Sequence, residues 1–279
     1  MTTTAQPPAP TTRPRRTRRP LGTLGLASSG VLTLVAVWWI AADLFDLSED
    51  GVLASPFAVL ERLVTLFYDP LAGRTLPGHS LASLERWGAG FVVAAALGLL
   101  LGFAFAWWPN FRSALLPAFE VLRYIPPFAW IPLAILWFGP GFAAQAFVVF
   151  VAVLPPCVLN AELGVRSVDD YVVKASRVLG ASRVSTLVTT VVPTSLPTAL
   201  AGLRIGVGNG WMALMGAELI VGRSGLGYVI LSGQQSNDPA TVLAGMVAIG
   251  VLGALMDRGV RWLANPFIRW RKGVETGAA

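Results

Sequence analysis

Val168-Asp-Asp-Tyr-Val-Val-Lys-Ala-Ser-Arg-Val-Leu-Gly-Ala-Ser-Arg183 is a polar segment set into a chain built mostly of apolar runs. Its basic residues Lys174, Arg177 and Arg183, with Arg166 just ahead, assign it to the cytoplasmic side, since positive charge flanking membrane spans stays inside. Ser167 followed three residues later by Asp170 fits a capping box, and Asp169 and Asp170 suit the positive end of a helix dipole. Val172, Val173, Ala175, Val178 and Leu179 then make a short amphipathic pattern. Gly180 follows as a left-handed stop. A short helix between two spans has little use for an apolar face unless another protein docks on it.

Composition explains why the flanking runs are spans. Of 279 residues, 54% are hydrophobic and 13% charged, half the roughly 25% charged content of soluble domains. Mean hydropathy is +0.65, and ten tryptophans suit the aromatic belts of a bilayer. The net charge of +6 does not mark a nucleic-acid binder. The basic residues gather at the two ends and in the segment above, without aromatic interleaving. Cys157 is the single cysteine and His79 the single histidine, which removes a disulfide framework, a histidine metal site and a triad with a second imidazole.

Outward from the polar segment, the hydrophobic pattern predicts an all-α polytopic membrane protein of about six transmembrane helices, with N- and C-termini cytoplasmic. Residues 1–20 read as a disordered basic tail and 21–46 as an uncleaved first span. Residues 47–82 read as an extracytoplasmic segment. Within it, Ser55 to Phe67 reads as an amphipathic helix along the interface, or else a surface helix on the soluble side, with Ser55 as N-cap and Pro56 at N1. The core occupies 83–265, and 266–279 forms a second cytoplasmic tail. Its second span runs from about Leu84 to Trp108, followed by a turn at Pro109–Arg112, and Gly98 and Gly102 permit close helix contact.

The next apolar stretch, Leu115 to Phe138, is broken by Tyr124-Ile-Pro-Pro-Phe-Ala-Trp-Ile-Pro132. Three prolines in seven residues do not fit one regular helix. Such a break survives at membrane depth only where protein or a water-filled cavity shields the backbone, so Tyr124, Pro126, Pro127 and Trp130 are candidates for a translocation path. A fourth span covers 142–163, bent at Pro155-Pro156. A fifth covers about Leu187 to Val221, broken near Pro193 and Pro197, with Gly202, Gly206 and Gly210 aligned for tight packing. Residues 222–239 read as an outside loop, and Val242 to about Leu263 as the sixth span. Arg204, Asn209 and Glu218 lie inside the fifth span, where charge is costly and faces the bundle interior. Asn209 and Glu218 are either path residues or packing elements, and Arg204 and Glu218 are too far apart to pair.

No P-loop, HExxH, CxxC or nucleophile elbow is present. The segment from Lys174 instead resembles the EAA signature of binding-protein-dependent ABC-transporter permeases. Ala175 and Gly180 match, and Val192-Pro193 stands for Leu-Pro at the right distance. Lys174 replaces the signature Glu, Ser176 the second Ala, and Thr190 an aliphatic residue. Further runs, including Tyr124–Pro127, Ile135–Gly139, Leu179–Arg183, Gly202–Gly206 and Ser224–Tyr228, are similar to the nitrate/taurine/aliphatic-sulfonate branch across about residues 55–265.

The resemblance implies a MetI-like permease fold in the inner membrane. It also implies two copies of a separate cytoplasmic ATPase, an extracytoplasmic substrate-binding protein, and a permease homodimer surrounded by lipid. The chain itself would bind no cofactor, ATP being used by the partner subunit. The polar segment would be the coupling helix, with Lys174, Ala175, Ser176, Leu179, Gly180, Ala181 and Pro193 at the contact. Transport would proceed by alternating access for a small solute such as a sulfonate, taurine or nitrate. A secondary transporter or other ion-coupled carrier is the alternative, and would use ionisable mid-membrane groups and internal repeats; no repeat is visible.

Overall fold

The structure, a computed structural model, describes residues 20–44 and 53–275, with the side chains of 20–28, 31, 43–44, 265 and 267–275 outside the description. The expected disordered tail up to residue 19, and the side chains of Arg269, Arg271 and Lys272, therefore lie outside the described residues. The chain divides into residues 1–56 and 57–279. In the first unit, α1 (Pro20–Leu44) is helical over most of the residues expected as a first span, and the Trp38 indole donates to the Ala54 carbonyl at 3.2 Å.

The second unit is helical. α2 (Pro56–Tyr68) starts at the predicted proline, and α3 (Leu76–Trp107) follows a tight turn closed between Leu71 and Arg74. α3 starts before the expected Leu84, so His79 and Ser83 belong to the helix. The predicted turn at Pro109–Arg112 is instead the start of α4 (Pro109–Leu122), because Trp108 alone is extended (φ −116°) and Pro109 is preorganised for N1. Among the described residues, four helical segments are long and apolar enough to cross a bilayer: Leu76–Trp107, Phe142–Arg166, Arg183–Val221 and Pro239–Ala264. A fifth crossing results if α4 and the segment Pro127–Phe138 form one span bent by 93°. That bend is the predicted proline break, with a 3₁₀ turn over Pro127–Trp130 leading into α5 (Ile131–Phe138).

α6 (Phe142–Arg166) is the centre of this unit, packed against α3 and against the long segment Arg183–Val221. It runs through Pro155 and Pro156 as one element, and the Asn160 amide donates to the Pro156 carbonyl at 2.8 Å. The small residues of its neighbours make that approach possible. A Cβ on Gly98 would stand 2.6 Å from that of Cys157, and one on Gly202 would stand 2.5 Å from that of Asn160. Both glycine series thus pack within the chain. The apolar core beside them joins Ile131 and Ala134 to Ala144, Val148 and Ala152, and to Ala213 and Ala217.

After α7 (Asp170–Val178), the short helix α8 (Arg183–Thr186) continues through a π-turn at Leu187–Val191 into α9 (Val192–Val221). The expected break near Pro193 and Pro197 is this π-turn: the Val192 N–H reaches the Leu187 carbonyl, and the helix then passes both prolines. Residues 222–239 are not simply a loop, because they hold α10 (Leu226–Gln235). The glycines that read as a turn are there for close approach, as shown below. α11 (Pro239–Glu275) continues in its backbone beyond the expected end near Leu263.

One clamp ties α2 to the start of α11. Asp238 caps it: its Oδ1 accepts from the Thr241 N–H at 3.1 Å and its Oδ2 from the Thr241 hydroxyl at 2.6 Å, while Arg62 lies 3.4 Å away. Burial pushes the Asp238 carboxyl up, but the Thr241 hydroxyl and N–H and the Arg62 charge outweigh it and hold it below its usual range. A carboxyl held low in the folded state stabilises it above the ordinary aspartate value of about 3.9. That contribution is lost as pH falls through the folded value. Asp238→Ala should therefore cost about 1 kcal/mol at pH 7. The gap to the wild type in thermal unfolding should narrow progressively as pH falls below about 3.9.

Candidate functional site

α7 is the helix predicted from the opening segment, but its cap differs. Ser167 ends α6, its hydroxyl donating to the Gly164 carbonyl, and Asp169 is the N-cap of α7, accepting from the Tyr171 N–H at 2.9 Å. The capping box fails because Ser167 is already used by the preceding helix. At the other end, the Ala181 N–H reaches the Ser176 carbonyl at 3.1 Å and the Gly180 N–H reaches the Arg177 carbonyl at 2.9 Å. This is a Schellman motif, and it holds Gly180 at φ +89°, a conformation that favours glycine.

None of the α7 side chains is fully buried. Tyr171 is 80% exposed, Val178 86% and Leu179 88%. These residues would gain from burial, about 1.5–3 kcal/mol for a side chain the size of Leu. Val173 alone leans on the cluster of Val165, Leu187 and Val191. Lys174, Ala175 and Gly180 are exposed, Ala181 is half-buried, and Pro193 is exposed on α9. Among the described residues no ion pair holds Lys174.

Two departures from the EAA pattern prove to be one. Ser176 points inward, 3.3 Å from the Thr186 hydroxyl, and accepts from the Thr190 hydroxyl at 3.4 Å. A small polar residue in α7 and a polar residue on the π-turn thus answer each other. They tie α7 to the start of the segment Arg183–Val221.

Glu218 lies elsewhere. It is 0% exposed, and its carboxylate accepts from the Ser83 hydroxyl, from Arg86 and from the Gly227 N–H, each at 2.9 Å. Arg86 also donates to the Ser224 carbonyl and hydroxyl. The Gly225 N–H donates to His79 Nδ1 at 3.0 Å, so the ring proton sits on Nε2 and donates to the Leu71 carbonyl. The Leu226 N–H finds the Ser83 hydroxyl. Three successive amides at the start of α10 are thus taken by side chains of α3 and α9. Gly225 is required there: its φ is +112°, and a Cβ would stand 2.3 Å from the Glu218 carboxylate. Sequence reasoning missed His79, Ser83 and Arg86. Their spacing of four and then three, one helix face, was the available signal.

The remaining predicted residues do not converge with Glu218. Tyr124 and Pro126 are exposed at the bend, and Pro127 and Trp130 are half-buried; the Trp130 indole N–H is buried without a partner. Asn209 is exposed on α9 in a groove of about 760 Å³ shared with α11. Arg204 lines the same groove and pairs with Asp257 at 2.9 Å, so it and Glu218 indeed have separate partners.

A family model described as binding-protein-dependent transport system inner membrane component matches residues 94–268, which include all of α6, α7 and the π-turn. The chain belongs to this family. It is accordingly a multi-pass inner-membrane permease component of an ABC-type import system, and the stretch Lys174–Pro193 that resembles the EAA pattern lies within the matched residues. The taurine transport system permease protein TauC of Escherichia coli is 35% identical over 264 residues, covering 92% of this chain and 94% of the relative. The nitrate import permease protein NrtB of Synechocystis is 32% identical, covering 91% and 94%. The bicarbonate transport system permease protein CmpB of Synechococcus elongatus is 31% identical, covering 91% and 93%. In this permease the Glu218 cluster joins a helix start before the matched region, at Ser83 and Arg86, to the turn after α9 within it.

Proposed function

We propose that this permease imports a small solute bearing an oxyanion group, of the taurine, nitrate and bicarbonate class, driven by a separate ATPase that docks on α7. Nitrate-like and sulfonate solutes are both compatible with this class, and a binding protein delivers them from outside. Two permease copies enclose the path. Closing of the ATPase dimer draws the two α7 helices together and swings the spans between inward- and outward-open arrangements, a bistable interface biased by a ligand. In this reading the termini and α7 face the cytoplasm, and Tyr124, Pro126, Pro127 and Trp130 at the bend border the path, with Asn209.

One observation carries the reading: the end of α7 presents Val178 and Leu179 almost wholly to solvent on a helix fixed by its Schellman motif. A cleft on the ATPase would bury them, and Gly180 turns the chain back. Lys174, free of ion pairs among the described residues, fits an acidic partner on that cleft. Leu179→Asp should lower ATP-driven uptake in membrane vesicles by roughly tenfold or more, since a carboxylate would enter an apolar contact worth about 1.5–3 kcal/mol. It should also reduce co-purification of the ATPase with the permease. Full uptake by this variant would remove α7 from the coupling contact, and uptake without ATP would favour an ion-coupled carrier.

A further inference from the structure

The groove between α9 and α11 has an unbalanced charge. Arg204 and Arg261 both donate to Asp257, so two guanidiniums share one carboxylate. Arg204 uses its Nε for that contact at 2.9 Å. Its terminal nitrogens donate to no other group among the described residues, and its side chain is 50% exposed. That outer edge is the fork that matches an oxyanion with two parallel bonds. Asn209 lines the same groove one turn and a residue further along, and the space beside Gly208 is open, with no atom within 4 Å of a Cβ built there.

The level of this charge matters. Arg204 and Asp257 each lie roughly 25 Å of helix, at about 1.5 Å per residue, from the ends of α9 and α11 that meet α10. That is within the depth of a hydrocarbon core of about 30 Å. An uncompensated guanidinium there is costly against lipid chains and is found facing a bundle interior or water. Arg204, Asp257 and Arg261 therefore call for protein or water beside them, while Pro197, Leu200, Ile205 and Val260 form the apolar wall of the groove.

We propose that this groove is an oxyanion subsite of the permease. The terminal edge of Arg204 and the Asn209 amide would hold one anionic group of the transported solute. Asp257 is a positioning residue that orients Arg204 and, by cancelling one of the two charges, keeps the site weak enough for the solute to leave. This rests on the function proposed above and adds where in the permease the solute's charge is met. A lipid phosphate has the same chemistry, so the test separates the two sources.

The test uses the complete transporter, permease with ATPase and binding protein, reconstituted in vesicles of phosphatidylcholine and, in parallel, in vesicles containing phosphatidylglycerol. Uptake of radiolabelled taurine and bicarbonate and of isotopic nitrate is followed with ATP inside. Arg204→Gln should lower the maximal rate for the solute that is carried by about tenfold in both vesicle types. The half-saturating concentration, set by the binding protein, should stay put. Arg204→Lys, which keeps the charge and loses the fork, should lose roughly threefold. Asn209→Leu breaks no ion pair and should also slow the maximal rate, so it carries the test if Arg204→Gln does not assemble. Undiminished rates in both Arg204→Gln and Asn209→Leu overturn the subsite. A loss confined to phosphatidylglycerol vesicles assigns the groove to lipid and overturns it too. If the wild type moves none of the three solutes, the proposed function fails first and the subsite with it. Failure of the Leu179→Asp prediction alone would sink the ATPase docking and leave the Arg204 result standing.

Discussion

Arg86→Met should destabilise this permease by about 3–5 kcal/mol, the cost of removing one partner from a buried ion pair. Glu218 is fully enclosed and its counter-charge lies 2.9 Å away. Without Arg86, the Ser83 hydroxyl and the Gly227 N–H would be left to support a carboxylate shut off from solvent. The Ser224 carbonyl would lose its donor as well. Glu218→Gln should cost less, because a carboxamide oxygen still accepts from Gly227, and Arg86 is 13% exposed and keeps its Ser224 contacts. The double variant should lose less than the sum of the two singles, since neither charge is then stranded. In thermal unfolding of the detergent-solubilised protein, the Arg86→Met midpoint should drop by about 6–20 °C, at roughly 2–4 °C per kcal/mol for a chain of this size. A midpoint equal to that of the wild type would mean that Glu218 does not depend on Arg86.

That cluster also marks where sequence reading stopped. Hydropathy places the long apolar helices well, because ~20 apolar residues have few other fates. It placed the start of α3 at Leu84, since His79, Ser83 and Arg86 lower the local hydropathy. Those are the residues that fix the turn between α9 and α10. Polar residues buried by pairing across 130 or so positions of sequence leave no local periodicity, only the weak face shared by His79, Ser83 and Arg86. Likewise, Gly222–Gly227 reads as a loop from composition, although its glycines are there because Glu218 leaves no room for a Cβ. Hydrogen bonds to side chains of distant helices then start α10.

α7 was more legible because its determinants are local. Asp169, the apolar spacing and Gly180 lie within twelve residues and need no partner elsewhere in the chain. What spacing could not reveal is that Ser176 and Thr190 meet, which turns two separate departures from the EAA pattern into one contact. Lys174 has no such answer within the described chain. Arg204 was recognised as a costly charge, but its partner Asp257 sits on another helix and was invisible to a reading along the chain.

Gly180→Val should uncouple transport without removing the protein from the membrane. A Cβ at this position would meet open space, with nothing within 4 Å, so the effect comes from the backbone alone. At φ +89° a non-glycine residue costs about 1–2 kcal/mol, and a β-branched one more. Valine would relax by leaving the left-handed region, and both Schellman hydrogen bonds would go. Val178 and Leu179 would then lose their fixed direction, held only by the contacts of Ser176 with Thr186 and Thr190 further back. Insertion and folding should survive, because no α7 side chain is fully buried. ATP-driven uptake should therefore fall by roughly tenfold or more, at unchanged permease level and unfolding midpoint. Gly180→Asn should fall between valine and wild type, since asparagine tolerates the left-handed conformation. Arg86→Met predicts the opposite pattern, a lowered midpoint, so the two variants separate a fault in the fold from a fault at the contact. Normal uptake by Gly180→Val would mean that the direction of the α7 end is not what the ATPase reads.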